Sequence, residues 1–221
     1  MRNIKHFSSL PANLSFKNWR ESIREWIPAF AGMTAIIGVL LMTITHNAHA
    51  AEGKAVFAGG CFWCMESEFE HIDGIISAVS GYIGGDAKDA NYEAVSAHKT
   101  KHIEAVEITY DTSKVDYPKL LAVYWSNIDP TDEGGQWYDR GSQYATVIYY
   151  GSDAEKKLAE DSKVAVAKKL GKTIATRIQP LTVFYPAEDY HQNYYRTNTA
   201  HYEAYSQGSG RKEKLKKIWG N

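Results

Sequence analysis

The 221-residue chain has only two cysteines, no surplus of either charge and a single long apolar run. Lys plus Arg number 25 against 26 Asp plus Glu, a net charge of −1. With no basic excess to track a phosphate backbone, nucleic-acid binding has no electrostatic footing. No internal repeat is present. Zinc wants a second Cys or His pair at fixed spacing; His98 and His102 are four apart but lie in a polar stretch far along the chain. A disulfide between residues i and i+3 closes a very small loop and stabilises little. Half a zinc site and a structural disulfide stay open, but redox or nucleophilic chemistry is the use that best fits so close a pair.

The one apolar run, residues 35–44, follows Lys17, Arg20 and Arg24 and precedes Ala48-His49-Ala50. A basic lead, a short apolar stretch and an A-x-A end make a secretory leader, cleaved after Ala50. The run is short for a bilayer span; an uncleaved anchor is the alternative. The expected organisation is a leader over 1–50, one domain over 51–205 and a basic tail over 206–221. Export to a bacterial periplasm, with no stable membrane association after cleavage, follows. An oxidising compartment would hold Cys61 and Cys64 as a disulfide, so catalysis there needs a dedicated electron donor.

Cys61 and Cys64 lie in Gly59-Gly60-Cys61-Phe62-Trp63-Cys64-Met65-Glu66. Residues 55–57 read as a strand, the glycine pair as a turn, and 62–71 as a helix. Cys61 then sits at a helix N-terminus, where unpaired N–H groups and the macrodipole favour a thiolate. Downstream, 75–83 and 102–110 read as strands and 117–127 as an amphipathic helix. Residues 143–150 form a strand and 154–170 a helix ended by Gly171. Residues 176–185 read as one edge or bulged strand around Pro180. The interleaving favours α+β over a doubly wound sheet.

Gly60-Cys61-Phe62-Trp63 after a short strand resembles the signature of the A-type peptide methionine sulfoxide reductases. Further blocks follow in the family's order: Gly81-Tyr82-x-Gly84-Gly85; Asn91-Tyr92-Glu93-x-Val95; His102-x-Glu104-Ala105-Val106; Asp129-Pro130-Thr131; Asp139-x-Gly141-Ser142-Gln143-Tyr144; and Phe184 through Gln192. The resemblance implies a ferredoxin-like α+β two-layer sandwich with a mixed sheet. It also implies reduction of the S-epimer of methionine sulfoxide, free or in proteins. No metal or cofactor is expected, and the chain is expected to act as a monomer. Cys61 would attack the sulfoxide sulfur, Glu104 would protonate its oxygen, and Tyr92 and Tyr144 would hydrogen-bond that oxygen. Asp139 would line the site, and Phe62 and Trp63 would hold the S-methyl group. Periodicity alone would leave Glu104 solvated and the aromatics as ordinary packing.

Many relatives carry recycling cysteines near the C-terminus; this chain has none after Cys64. A Cys61 sulfenic acid would therefore be resolved by Cys64 or an external thiol and recycled by a thioredoxin-like reductant. The competing enzyme is a thiol–disulfide oxidoreductase using the same pair. The competing non-enzyme is an exported, aromatic-rich binding domain.

Overall fold

The computed structural model describes residues 51–220, so the leader expected over 1–50 lies outside the described residues. Strand β1 (Glu52–Gly59) leads into α1 (Phe62–Glu70), β2 (Ile75–Ile83), the short α2 (Tyr92–Ser96), β3 (Ile103–Asp111) and α3 (Tyr117–Ser126). A small hairpin follows, β4 (Gly135–Gln136) with β5 (Asp139–Arg140). Then come β6 (Thr146–Tyr150), α4 (Asp153–Leu170), β7 (Arg177–Pro180) and β8 (Phe184–Pro186). The chain closes with α5 (Tyr194–Thr197), α6 (Thr199–Gly208) and α7 (Arg211–Trp219). No helix among the described residues is long and apolar enough to cross a membrane.

The main sheet runs β7-β6-β1-β3-β2-β8. Only β6 and β7 pair in parallel; the other neighbours are antiparallel. Its inner strands and two helices read β1-α1-β2-β3-α3-β6 in the spatial order β6-β1-β3-β2. That is the split βαβ plan of a ferredoxin-like fold, as expected for this α+β chain.

β1 is buried on both faces, which is why residues 55–58 are uniformly apolar. Ala55 and Phe57 join the cluster beneath the helices, where Phe57 stacks on Phe69 at 5.4 Å and on Tyr124 at 5.1 Å. Val56 and Ala58 face the other way, into a second cluster with Ile103, Ala105, Val147 and Tyr149.

The expected single strand over 176–185 is two strands on opposite edges of the sheet. Proline has no N–H to continue a ladder, and Pro180 ends β7. Only residues 181–183 then separate the two edges. Laid flat, five interstrand steps would span about 24 Å, whereas the step from Pro180 to Phe184 reaches at most about 14 Å. The sheet is therefore strongly curled. Phe184 of β8 packs on the same cluster as Val147 and Tyr149 of β6, inside that curl.

The strand expected over 143–150 starts later. Gly141 adopts φ +125° and Ser142–Tyr144 form a 3-10 turn before β6 begins at Thr146. The basic 206–221 stretch supplies the end of α6 and all of α7. Trp219 is buried there and its Nε1 donates to Ile128 O at 3.0 Å.

Candidate active site

The β1–α1 turn needs a left-handed residue, and Gly60 supplies it at φ +85°. A Cβ there would come within 2.6 Å of Gln136. Cys61 is the N-cap of α1, and its carbonyl accepts from Cys64 N at 3.2 Å and Met65 N at 3.3 Å. The next N–H, on Phe62, has no partner within the helix; it donates to Glu104 Oε2 at 3.0 Å. Glu104 can reach it because β1 pairs with β3 only as far as Val106, leaving Glu104 beyond the last rung. The carboxyl is 2% exposed. Burial pushes its pKa up to about 8, against the opposing pull of the Phe62 N–H. At neutral pH it is mostly protonated, and it is bonded to the N–H of the residue that follows Cys61.

The helix N-terminus does not make Cys61 the thiolate of the pair, which corrects the expectation from its N-cap position. Cys61 is 8% exposed, and its pKa is raised well above the ordinary thiol value. Burial is the largest cause, followed by the hydrogen bond to Cys64 and by the charges of Cys64, Glu104 and Asp139. Desolvation of a charge this deep outweighs the macrodipole, which contributes only about 0.3–2 kcal/mol. Cys64 shifts the opposite way, lowered first by the hydrogen bond from Cys61 and further by Arg211 and Tyr202. Both cysteines are free.

Tyr92, Tyr144 and Asp139 come together with this pair. Both phenols are pushed up by burial and then by the Glu104 charge, with Asp139 and Cys61 also acting on each. They stay protonated donors throughout the neutral range. Asp139 is itself pushed up by burial. Phe62 is buried, with its ring 5.8 Å from Tyr82, and Trp63 is half-buried beside it at 6.3 Å. The structure thus gathers every residue singled out from the sequence. Among the described residues no cluster of three His, Cys, Asp or Glu side chains is placed to hold a metal.

A second set of groups was not singled out from the sequence. Tyr205 of α6 donates to Asp139 Oδ2 and lies edge-on to Trp63 at 6.0 Å. Tyr194 stacks on Trp63 at 3.9 Å, nearly parallel. His191 Nδ1 accepts from Trp63 Nε1 at 3.0 Å, and burial lowers its pKa, so it is a neutral acceptor. Glu188 accepts from Tyr82 Oη at 2.8 Å and from Tyr92 N at 2.9 Å, tying the β8 side of the sheet to a site phenol. Glu188 and His191 fall within the block already quoted; Tyr194, Tyr205 and Arg211 carry no motif that marks them.

A buried thiol pair, a carboxyl with a raised pKa and two phenol donors on a ferredoxin-like scaffold are the groups of an oxidoreductase site. Residues 53–221 match the family described as Peptide methionine sulfoxide reductase. The chain is 48% identical over 172 residues to the peptide methionine sulfoxide reductase MsrA of Bacillus licheniformis, covering 75% of this chain and 93% of that one. It is 46% identical over 169 residues to MsrA 2 of Staphylococcus aureus, covering 76% and 96%. Reduced Mxr1 from Saccharomyces cerevisiae superposes with a TM-score of 0.65 at 30% identity, over 68% of this chain and 88% of that one. The chain belongs to the peptide methionine sulfoxide reductase family, A type, and is an oxidoreductase that reduces methionine sulfoxide.

Proposed function

We propose that the protein reduces the S-epimer of methionine sulfoxide, free or in proteins, through a sulfenic acid on Cys61. The observation that carries this reading is the Glu104 carboxyl, buried, neutral at pH 7 and bonded to the N–H of the residue after Cys61. A sulfoxide sulfur is a poor electrophile until its oxygen is protonated or strongly hydrogen-bonded. Glu104 supplies the proton, and the Tyr92 and Tyr144 hydroxyls stabilise the oxygen as charge develops on it. Phe62 and Trp63 take the S-methyl group, whose burial contributes about 0.8 kcal/mol. The Cys61 sulfur bonds to the sulfoxide sulfur, the oxygen passes to Cys61, and the thioether leaves with both electrons of the broken bond.

Cys64 then attacks the sulfenic sulfur, forming a Cys61–Cys64 disulfide and releasing water. The two lie within one helical turn, a separation compatible with disulfide geometry. A thioredoxin-like dithiol supplies the two electrons that reopen it. In this reading the enzyme acts as a monomer. The leader read in residues 1–50 supports export to the periplasm, and N-terminal sequencing of the secreted form checks cleavage after Ala50.

The decisive experiment is one anaerobic turnover with methionine sulfoxide and no reductant, followed by mass spectrometry. One methionine released per chain with a Cys61–Cys64 bridge is the expected result. A lasting sulfenic acid on Cys61 with Cys64 free would overturn internal resolution. Reduction of insulin disulfides in place of sulfoxide would favour the thiol–disulfide alternative.

A further inference from the structure

His191 is 2% exposed and ends the short 3-10 turn Asp189–His191. Its ring lies against both aromatic side chains that follow Cys61, with its centre 5.1 Å from that of Phe62 and 5.6 Å from that of Trp63. Trp63 Nε1–H can only donate, so the His191 Nδ1 that accepts it at 3.0 Å is the bare nitrogen and Nε2 carries the hydrogen. Among the described residues that Nε2 has no hydrogen-bond partner. The Glu188 Oε2 atom stands 3.9 Å away, beyond bonding reach. A buried donor left unpaired costs stability, so a phenyl ring would fill this hole with less harm to the fold. The one polar contact the imidazole makes is the bond to Trp63.

Trp63 needs such a bond. Tyr194 lies flat against it, 3.9 Å away and 8° from parallel. Stacking fixes the plane of a ring but lets it slide within that plane; a directional hydrogen bond to its edge stops the slide. The anchor itself is rigid. His191 N donates to Glu188 O at 2.9 Å, and the Glu188 carboxylate is held in turn by Tyr82 Oη at 2.8 Å and Tyr92 N at 2.9 Å.

We propose that His191 is the positioning residue that sets the width of the S-methyl cup between Phe62 and Trp63, and so decides which S-alkyl sulfoxides the enzyme accepts. The ring acts as a spacer against Phe62 and as a pin on the Trp63 edge. The inference rests on the reading of Phe62 and Trp63 as the walls of that cup.

The experiment compares kcat/KM for the S-epimers of methionine sulfoxide and ethionine sulfoxide, which differ by one methylene on the sulfur, with dithiothreitol as reductant. An apolar pocket discriminates one methylene by about 10–200-fold, and a preference for S-methyl is expected in the unaltered enzyme. His191→Phe keeps the ring and removes the acceptor. The preference is expected to collapse toward unity, with no fall in melting temperature. His191→Asn, whose Oδ1 stands where Nδ1 stood, is expected to restore it. In a Trp63→Ala background, with that wall gone, His191→Phe is expected to change the preference no further. A preference that survives His191→Phe overturns the inference. So does a loss that comes with a fall in melting temperature and that His191→Asn does not restore, since a loosened fold then explains it. Trp63→Ala with an intact preference removes the cup itself, whereas a preference lost in Trp63→Ala but kept in His191→Phe removes only the role given to His191.

Discussion

The curled sheet and the C-terminal helical segment each contribute half of the site, and they are held together by different means. The sheet side places Cys61 and Glu104 by backbone ladders and by clusters that are apolar on both faces of β1. The segment after β8 places Tyr194, Tyr205 and Arg211 through polar contacts to α1. Glu66 of α1 is fully buried and accepts from Asn193 N at 3.0 Å and Ser80 Oγ at 3.1 Å. Glu70 accepts from Tyr195 Oη and pairs with Arg196 at 3.0 Å. Apolar burial is non-directional and tolerant of detail, whereas a polar tether is lost whole when one partner goes. The first half should be robust and the second conditional.

Glu104→Gln gives the largest contrast between chemistry and stability. Sulfoxide reduction is expected to fall about 10²–10⁴-fold with loss of the acid, and the limb that falls as pH rises through about 8 in the unaltered enzyme should vanish from the kcat/KM profile. The same substitution should stabilise the fold. A carboxyl whose pKa is raised on folding is neutral in both states at pH 4, and it destabilises progressively as pH rises from the unfolded value toward 8. At pH 7 the gain is on the order of 3 kcal/mol, disappearing by pH 4 in urea titrations. An inactive variant with no such gain would mean that Glu104 is not buried neutral.

Glu66→Ala probes the conditional half. Leaving two buried donors without their acceptor costs about 1–3 kcal/mol each. Hydrogen exchange should show protection lost first over residues 193–208, with the β1–β3 ladder unchanged. Equal loss in the sheet would erase the distinction between the halves.

Tyr205→Phe removes a single hydrogen bond to Asp139. A loss of about 1.5 kcal/mol in the transition state corresponds to a roughly tenfold fall in kcat/KM, with little change in melting temperature. Lys54→Ala sets the baseline on the sheet side, since Lys54 and Glu107 pair at 2.9 Å on an exposed surface. Such pairs are worth about 0–1 kcal/mol, and a denaturant midpoint should barely move.

The two halves also differed in what their residues revealed beforehand. Cys61, Phe62, Trp63 and Glu104 sit in short ordered strings, and the alternation in β2 and β3 is plain. Their placement was legible because the backbone around them is regular. The upward shift of Cys61 was not legible, since its largest cause is burial, which arises only when distant parts of the chain pack over the turn, with smaller contributions from Glu104 and Asp139, 43 and 78 positions away (104 − 61 and 139 − 61). Arg211 and Tyr205 were hidden for a related reason: a basic run and a tyrosine-rich helix look like a solvated surface until α1 packs against them. Pro180 was correctly read as an edge residue, but nothing local indicated that the chain would cross to the other edge after it.

That crossing has a consequence for how the enzyme would fail. Leu181 and Val183 are 41% and 62% exposed on it, so the stitch that keeps the roll closed faces outward, within reach of a protease. A single nick there would leave both sulfurs on one fragment, and Tyr194, Tyr205 and Arg211 on the other. Neither piece would own a complete reaction centre, although the larger would keep nearly all of its interior.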